Sequence, residues 1–379
     1  MNQTEINKLG VLRRALHQFP ETSGNEKKTS ARIKTFFESL NPDITLENMG
    51  PFGLAFIFNG SEEGPTTLLR SELDAIPIQE DGKIKHRSKH KGISHTCGHD
   101  GHMAIICGVG MKLSIERPKK GKVVLLFQPS EETGMGAEQV MQSKNFKEIL
   151  PDYAFALHNL PGHKKHQIIL KKGPFTAASK GMTISLKGRT SHAAHPEDGL
   201  SPGIAMCKLI VGLQKLPESI TDFTMITVIH ASLGEVSFGT SPGEATVMAT
   251  LRTFENPAME KLTDYSEKLA QLIAKESGLE LEISYCEEFE AAVNDEKSWE
   301  LINDSAKALG LETKHIRTPF RWSEDFGKFS SLSQTNSMLF GIGSGEKQPQ
   351  LHESHYDFPD EIIPTAVNLY LDVISKVNF

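Results

Sequence analysis

The chain has 379 residues, 38% of them hydrophobic and 23% charged, with a formal net charge of −7. Its length exceeds one ordinary core, so two domains are expected, and the composition is that of a globular protein. The negative balance gives no electrostatic reason to bind nucleic acid or an anionic membrane, and no apolar run approaches a bilayer span.

The first forty residues mix charged and apolar positions, with no apolar stretch of a secretory leader. Cys97, Cys107, Cys207 and Cys286 are too sparse for a disulfide framework. Both features predict a cytoplasmic location. Ile33, Phe36, Phe37 and Leu40 repeat at i, i+3, i+4, i+7 and predict a helix over 29–40. Short apolar runs at 54–58 and 67–69 precede a helix at 103–114, and 123–127 and 153–157 read as buried strands. This alternation predicts an α/β sandwich around a mostly parallel sheet. Basic residues read as scattered, with 119–122 and 164–165 as solvated loops.

The pattern changes after Gly173-Pro174. Met182, Ile184 and Leu186 alternate as a half-buried strand. Ser201-Pro202 opens a helix whose expected inner face is Ile204, Cys207, Leu209, Ile210 and Leu213. Strands at 223–229 and 245–251 follow, then a helix from Pro257 to Gly278 and a strand over 279–285. The order β-α-β-β-α-β is that of a ferredoxin-like module. A helix at 295–309, a strand at 337–342 and a helix from Pro364 are too few for a third domain, so the module reads as an insertion. The expected organisation is a first domain over 1–178 and 288–379, interrupted by a ferredoxin-like domain over 179–287.

The densest chemistry lies in His95–His102, where three histidines, a cysteine and an aspartate occupy eight residues. Gly98 permits a tight turn, so Cys97 and His99 can face one point. A thiolate and an imidazole together suit a divalent ion such as zinc, nickel or manganese; a polar loop with one buried cysteine is the alternative. Glu131 and Glu132 follow an apolar strand. Like charges there are costly unless a cation sits beside them, although they would also suit the first turn of a solvated helix. His158 ends the next strand and His352 lies in a late loop; either alone would read as structural. Asp74, after the strand ending Arg70-Ser71-Glu72, could orient a ligand or merely form a turn before Pro77. His192 and His195 lie in a small-residue loop that could contact substrate or solvent. Arg252, ending an inserted strand, could clamp a carboxylate or make a structural ion pair.

Taken together, these segments resemble the metal-dependent amidohydrolases related to aminoacylases and metallocarboxypeptidases, in the branch of hippurate hydrolases, N-acetyl-diaminopimelate deacetylases and auxin-conjugate hydrolases. Arg70–Pro77 is similar to that family's R-A-D-M-D-A-L-P, His95–His102 to H-A-C-G-H-D-G-H and Phe127–Glu132 to F-Q-P-A-E-E. Leu157-His158, Gly188–Pro196, Ser323–Phe326 and Leu351-His352 match further segments in order. The resemblance implies Cys97, His99, Glu132, His158 and His352 as ligands of two divalent ions (zinc, manganese, nickel or cobalt). It implies Glu131 as general base and His192 as a lid histidine, acting in its own subunit or across a dimer. Asp74 and Asp100 would support the ligands. The implied substrate is a small amide such as an N-acyl amino acid; a dipeptidase or carboxypeptidase with the same metal chemistry, or a non-catalytic binding protein, are the alternatives. A homodimer through the inserted domain is also implied. Two departures stand out. Glu72 replaces the first aspartate of R-x-D-x-D, and Gly239 stands where the family's N-x-I-P places asparagine.

Overall fold

The computed structural model describes residues 1–379 and divides into two compact units. The first comprises 1–175, 292–319 and 324–379; the second comprises 176–291 and 320–323. In chain order the first unit holds α1 (Gln3–Gln18), α2 (Lys27–Glu38), β1 (Ile44–Glu47), β2 (Leu54–Asn59), β3 (Glu62–Glu72), α3 (His99–Leu113), β4 (Lys120–Gln128), β5 (Tyr153–Pro161) and β6 (Ile168–Leu170). The second holds β7 (Ala178–Lys187), α4 (Gly203–Lys215), β8 (Thr224–Leu233), β9 (Glu244–Thr253), α5 (Asn256–Ser277) and β10 (Glu280–Phe289). The chain then returns to the first unit with α6 (Glu296–Ala308), β11 (Thr313–His315), β12 (Asn336–Gly345) and α7 (Ile363–Asn378).

The first unit is built on an eight-stranded mixed sheet, ordered β1-β2-β4-β3-β5-β12-β6-β11. Its central pairs, β4-β3, β3-β5 and β5-β12, are parallel, so their carboxyl ends share one edge. Glu72, Gln128 and His158 all stand at or near that edge, where open α/β sheets place their sites. β4 and β5 are buried along most of their length because helices cover the sheet. α3 is apolar on nearly every side, and it packs against both α1 and α7. It begins at His99, four residues before the expected start, because Gly98 adopts φ 102° and turns the chain into the helix. α1 was not expected from the sequence; a reciprocal Asn2–Glu5 capping box starts it.

The second unit has the expected β-α-β-β-α-β order around a four-stranded antiparallel sheet, β8-β9-β7-β10. Its core joins Met182, Ile184 and Leu186 to Leu209, Leu213 and Leu262. The expected inner face of α4 is corrected in part. Ala205, Leu209 and Leu213 are buried, whereas Ile204 is 73% exposed and Cys207 is exposed. The helix is apolar on both sides, so apolar spacing alone did not fix its phase. No helix of the chain is long and apolar enough to cross a membrane.

Candidate active site

The residues converge at the carboxyl edge of the large sheet. Cys97 and His99 flank Gly98, where a Cβ would meet the Asn159 amide at 2.4–2.8 Å, so only glycine fits. Glu131 and Glu132 sit in a 3-10 turn after β4, entered through Ser130 at φ 54°. His158 comes from β5. His352, at φ 67°, is tied in by its N–H to the Thr96 carbonyl at 2.9 Å. Two non-glycine residues in the left-handed region at one site fit backbone strain held by a functional constraint.

Cys97 Sγ lies 3.6 Å from His158 Nε2, and His352 Nε2 lies 3.6 Å from Glu132 Oε1. His99 Nε2 lies 3.7 Å from Glu131 Oε2 and 3.8 Å from Glu132 Oε1. The nitrogen–oxygen separations are too long for good hydrogen bonds. They are close to what ligands sharing an ion would show, since bonds of about 2.0–2.3 Å at tetrahedral angles place donor atoms roughly 3.3–3.7 Å apart. Three overlapping groups hold their ligand atoms within 4.8 Å of one another: Cys97-His99-His158, Cys97-Glu132-His352 and His99-Glu131-Glu132. His99 Nε2 and Glu132 Oε1 are buried without a hydrogen-bond partner, although both point into the cluster. Leaving such atoms bare is costly, so the donor set fits a pair of cations.

A surrounding layer fixes these side chains. Asp74 accepts hydrogen bonds from Ser23 Oγ at 2.7 Å and from the Glu132 N–H at 3.0 Å, and its carbonyl oxygen pairs with His99 Nδ1 at 2.8 Å. That leaves His99 Nε2 facing the cluster. Asp100 points away, bonded to His17 at 2.8 Å and Arg13 at 3.3 Å. His102 bridges Glu72 at 2.7 Å and Asn159 at 2.6 Å. His95 is buried with neither ring nitrogen partnered. Sequence reasoning gave Arg70, Glu324 and Asp325 no role. Arg70 is buried and hydrogen-bonds Glu72, Glu324, Asp325 and Gln128, while Glu324 and Asp325 form a further close group with Glu131. The Arg70–Pro77 and Ser323–Phe326 motifs carried that signal, but nothing in the sequence said that they meet.

Electrostatics sharpen the picture. Burial, together with Glu324, Glu132 and Asp325, pushes the Glu131 carboxyl well above the usual carboxylate range. Burial also raises Glu132, but His352 and His99 outweigh it and hold that carboxyl low. Burial and the neighbouring Glu132 and Glu131 push the Cys97 thiol up. Bound cations would reverse that and favour the thiolate.

The remaining expected residues lie in the second unit. His192 is exposed on a short strand, paired with Thr240. Arg252 donates to the Arg321 carbonyl and to Ser323 Oγ, both at 2.9 Å, so it makes neither an ion pair nor a free clamp there.

The sequence pattern described as peptidase family M20/M25/M40 matches residues 68–376. The chain belongs to this family. Its M20 relatives include an N-acetylcysteine deacetylase from Bacillus subtilis, 31% identical over 96% of this chain and 94% of that protein. A hippurate hydrolase from Campylobacter jejuni is 26% identical, covering 96% and 95% of the two chains. Among solved structures, a dinuclear metal-binding peptidase of the M20 family from Bacillus subtilis superposes with a TM-score of 0.85 at 26% identity, covering 100% of this chain and 99% of that one. The family resemblance drawn from the motifs is borne out, and so is the α/β fold.

Proposed function

We propose that this M20 chain is a metal-dependent amidohydrolase that cleaves the amide bond of N-acyl amino acids or related small amides. The observation that carries the reading is the convergence of Cys97, His99, Glu132, His158 and His352 around ligand-sized gaps, with the Glu131 carboxylate beside them. Those five residues would hold two divalent ions, drawn from zinc, manganese, nickel or cobalt. When bound, the ions would supply Lewis-acid polarisation of the scissile carbonyl and lower the pKa of the attacking water.

Glu131 takes the proton from that water and delivers it to the leaving amine. Asp74 holds His99 and the Glu132 backbone in place, and Asp100 anchors the start of α3 through Arg13 and His17. His192 acts as the lid histidine, donating to the developing oxyanion. Residues 179–287 act as lid and dimerisation domain. Ile204, Val211, Ile229, Val236 and Phe238 support the homodimer, since all five are more than half exposed. Arg252 would meet a substrate carboxylate only by exchanging its Arg321 and Ser323 partners. The four unpaired cysteines support a cytoplasmic location.

Metal analysis of the purified protein, joined to a substrate screen with each candidate ion, tests the proposal. Release of amino acid from N-acetyl or N-benzoyl amino acids supports it. Cleavage of dipeptides alone would move the reading to a dipeptidase or carboxypeptidase. Absence of both metal and turnover would leave a non-catalytic binding protein.

A further inference from the structure

The expectation of scattered cations fails at one place. Lys83, Lys85, Arg87, Lys89 and Lys91 stand at every second position of a nine-residue segment, in a chain whose net charge is −7. All five are exposed, while Ile84, His86, Ser88 and His90 between them are half-buried. The inward residues fasten the segment. The Ser88 N–H donates to Glu80 at 2.7 Å, His86 meets Asp357 at 3.1 Å and His90 meets the Pro20 carbonyl at 2.7 Å.

None of the five outward cations pairs with a carboxylate; Lys89 instead lies over the Phe19 ring. Some lysines elsewhere in this chain are paired, as in Lys34–Glu47, Lys112–Glu5 and Lys172–Glu296. Lys83, Lys85, His86 and Arg14 also line a groove of about 700 Å³ whose lining residues include no carboxylate, although Arg14 is paired with Asp360 and His86 with Asp357.

The segment is tied to the site at both ends. The Asp81 N–H donates to the Ser354 carbonyl at 3.0 Å, two residues after His352. Ser94 bridges Ile76, three residues before Cys97. The site itself holds five buried carboxylates (Glu72, Asp74, Glu131, Glu324 and Asp325) and the half-buried Glu132 against the single guanidinium of Arg70. Even a pair of divalent ions leaves no large cationic surplus to draw in an anion. An unpaired row of cations, on a segment tied beside the stretches that carry His352 and Cys97, provides that attraction from outside, screened with a Debye length of ~8–10 Å at ordinary ionic strength.

We propose that Lys83–Lys91 is a charge-selecting guide for polyanionic substrates, so that the preferred amides carry a second carboxylate beyond the one every N-acyl amino acid has. This rests on the amidohydrolase reading and names the substrate class within it.

N-acetylglutamate and N-acetylglutamine are nearly isosteric and differ by one negative charge. Their kcat/KM values are compared at low and high salt, in the metal-loaded native protein and in a variant carrying K83Q, K85Q, R87Q, K89Q and K91Q. Native protein is expected to favour N-acetylglutamate by about tenfold at low salt, through KM, with the preference collapsing at high salt. The variant is expected to lose that preference at low salt while keeping kcat. A preference insensitive to salt and to the five substitutions overturns the proposal, as does a variant that loses kcat on both substrates. If the native protein cleaves no amide, the hydrolase reading fails on its own. Calorimetric titration of the two compounds then decides the guide: salt-sensitive tighter binding of N-acetylglutamate supports it, and equal binding overturns it.

Discussion

Asp74 and Glu132 are joined by a 3.0 Å hydrogen bond from the Glu132 backbone N–H to Asp74 Oδ2. The same aspartate's carbonyl oxygen fixes His99 through Nδ1, so one residue sets two candidate ligands that are distant in sequence. Asp74→Ala keeps the carbonyl but frees the Glu132 turn and the Ser23 hydroxyl. We expect metal affinity to fall by about 10–100-fold, the usual cost of removing a partner that orients ligands. Competition with a chromogenic chelator measures it, and unchanged affinity would show that the turn holds itself.

Glu131 and Glu132 are adjacent in sequence but differ in surroundings. Both approach His99, but Glu132 also faces His352, whereas Glu131 also faces Glu324 and Asp325. Glu131→Gln should therefore retain both ions yet lose turnover by roughly 10²–10⁴-fold, the range for removing a general acid–base. Glu132→Ala and Cys97→Ser should lose metal. Metal content and kcat measured on the same preparations separate the two outcomes, and near-normal turnover in Glu131→Gln would refute the base assignment.

Much of the frame was legible because its signals are local. Alternation at Met182, Ile184 and Leu186 marks a strand, and the βαββαβ order of the second unit follows from such segments in sequence. Cys97-Gly98-His99 announces itself by residue type and spacing. What could not be read depends on contacts between distant segments. His158 and His352 each read as structural on their own; only the family resemblance implied them as ligands, and the fold brings them close to Cys97 and Glu132. Arg70 is an ordinary strand residue in sequence, and its meeting with Glu324 depends on the fold. α1 has a weak apolar stripe interrupted by charges, and Arg13 and His17 on its buried face look like solvent residues until Asp100 is found opposite them.

Arg70 is the single guanidinium among Glu72, Glu324 and Asp325, all buried. Removing it leaves these carboxylates uncompensated in a low-dielectric interior. Arg70→Met is expected to destabilise the metal-free protein by about 3–5 kcal/mol, measured by urea denaturation. Arg70→Lys should recover only part of this, because an ammonium cannot reproduce the planar fork that reaches three carboxylates and Gln128. Equal stability of all three proteins would mean that the carboxylates are protonated in the apo state.

His17 offers a pH test away from the candidate ligands. It is fully buried, and burial alone would lower its pKa. Asp100 at 2.8 Å and Glu80 at 3.4 Å overcome that and raise it to about 9 from an ordinary 6.5. Because the folded value lies above the unfolded one, the stabilisation is fully present below the ordinary value and disappears as pH rises through the folded value. The shift corresponds to roughly 3 kcal/mol. The stability difference between native protein and His17→Gln should therefore be largest near pH 6 and should shrink progressively as the pH approaches and passes about 9. Denaturation curves of both proteins across that range measure it. A difference that stays constant with pH would mean His17 is neutral in the fold, acting only as a hydrogen-bond partner of Asp100.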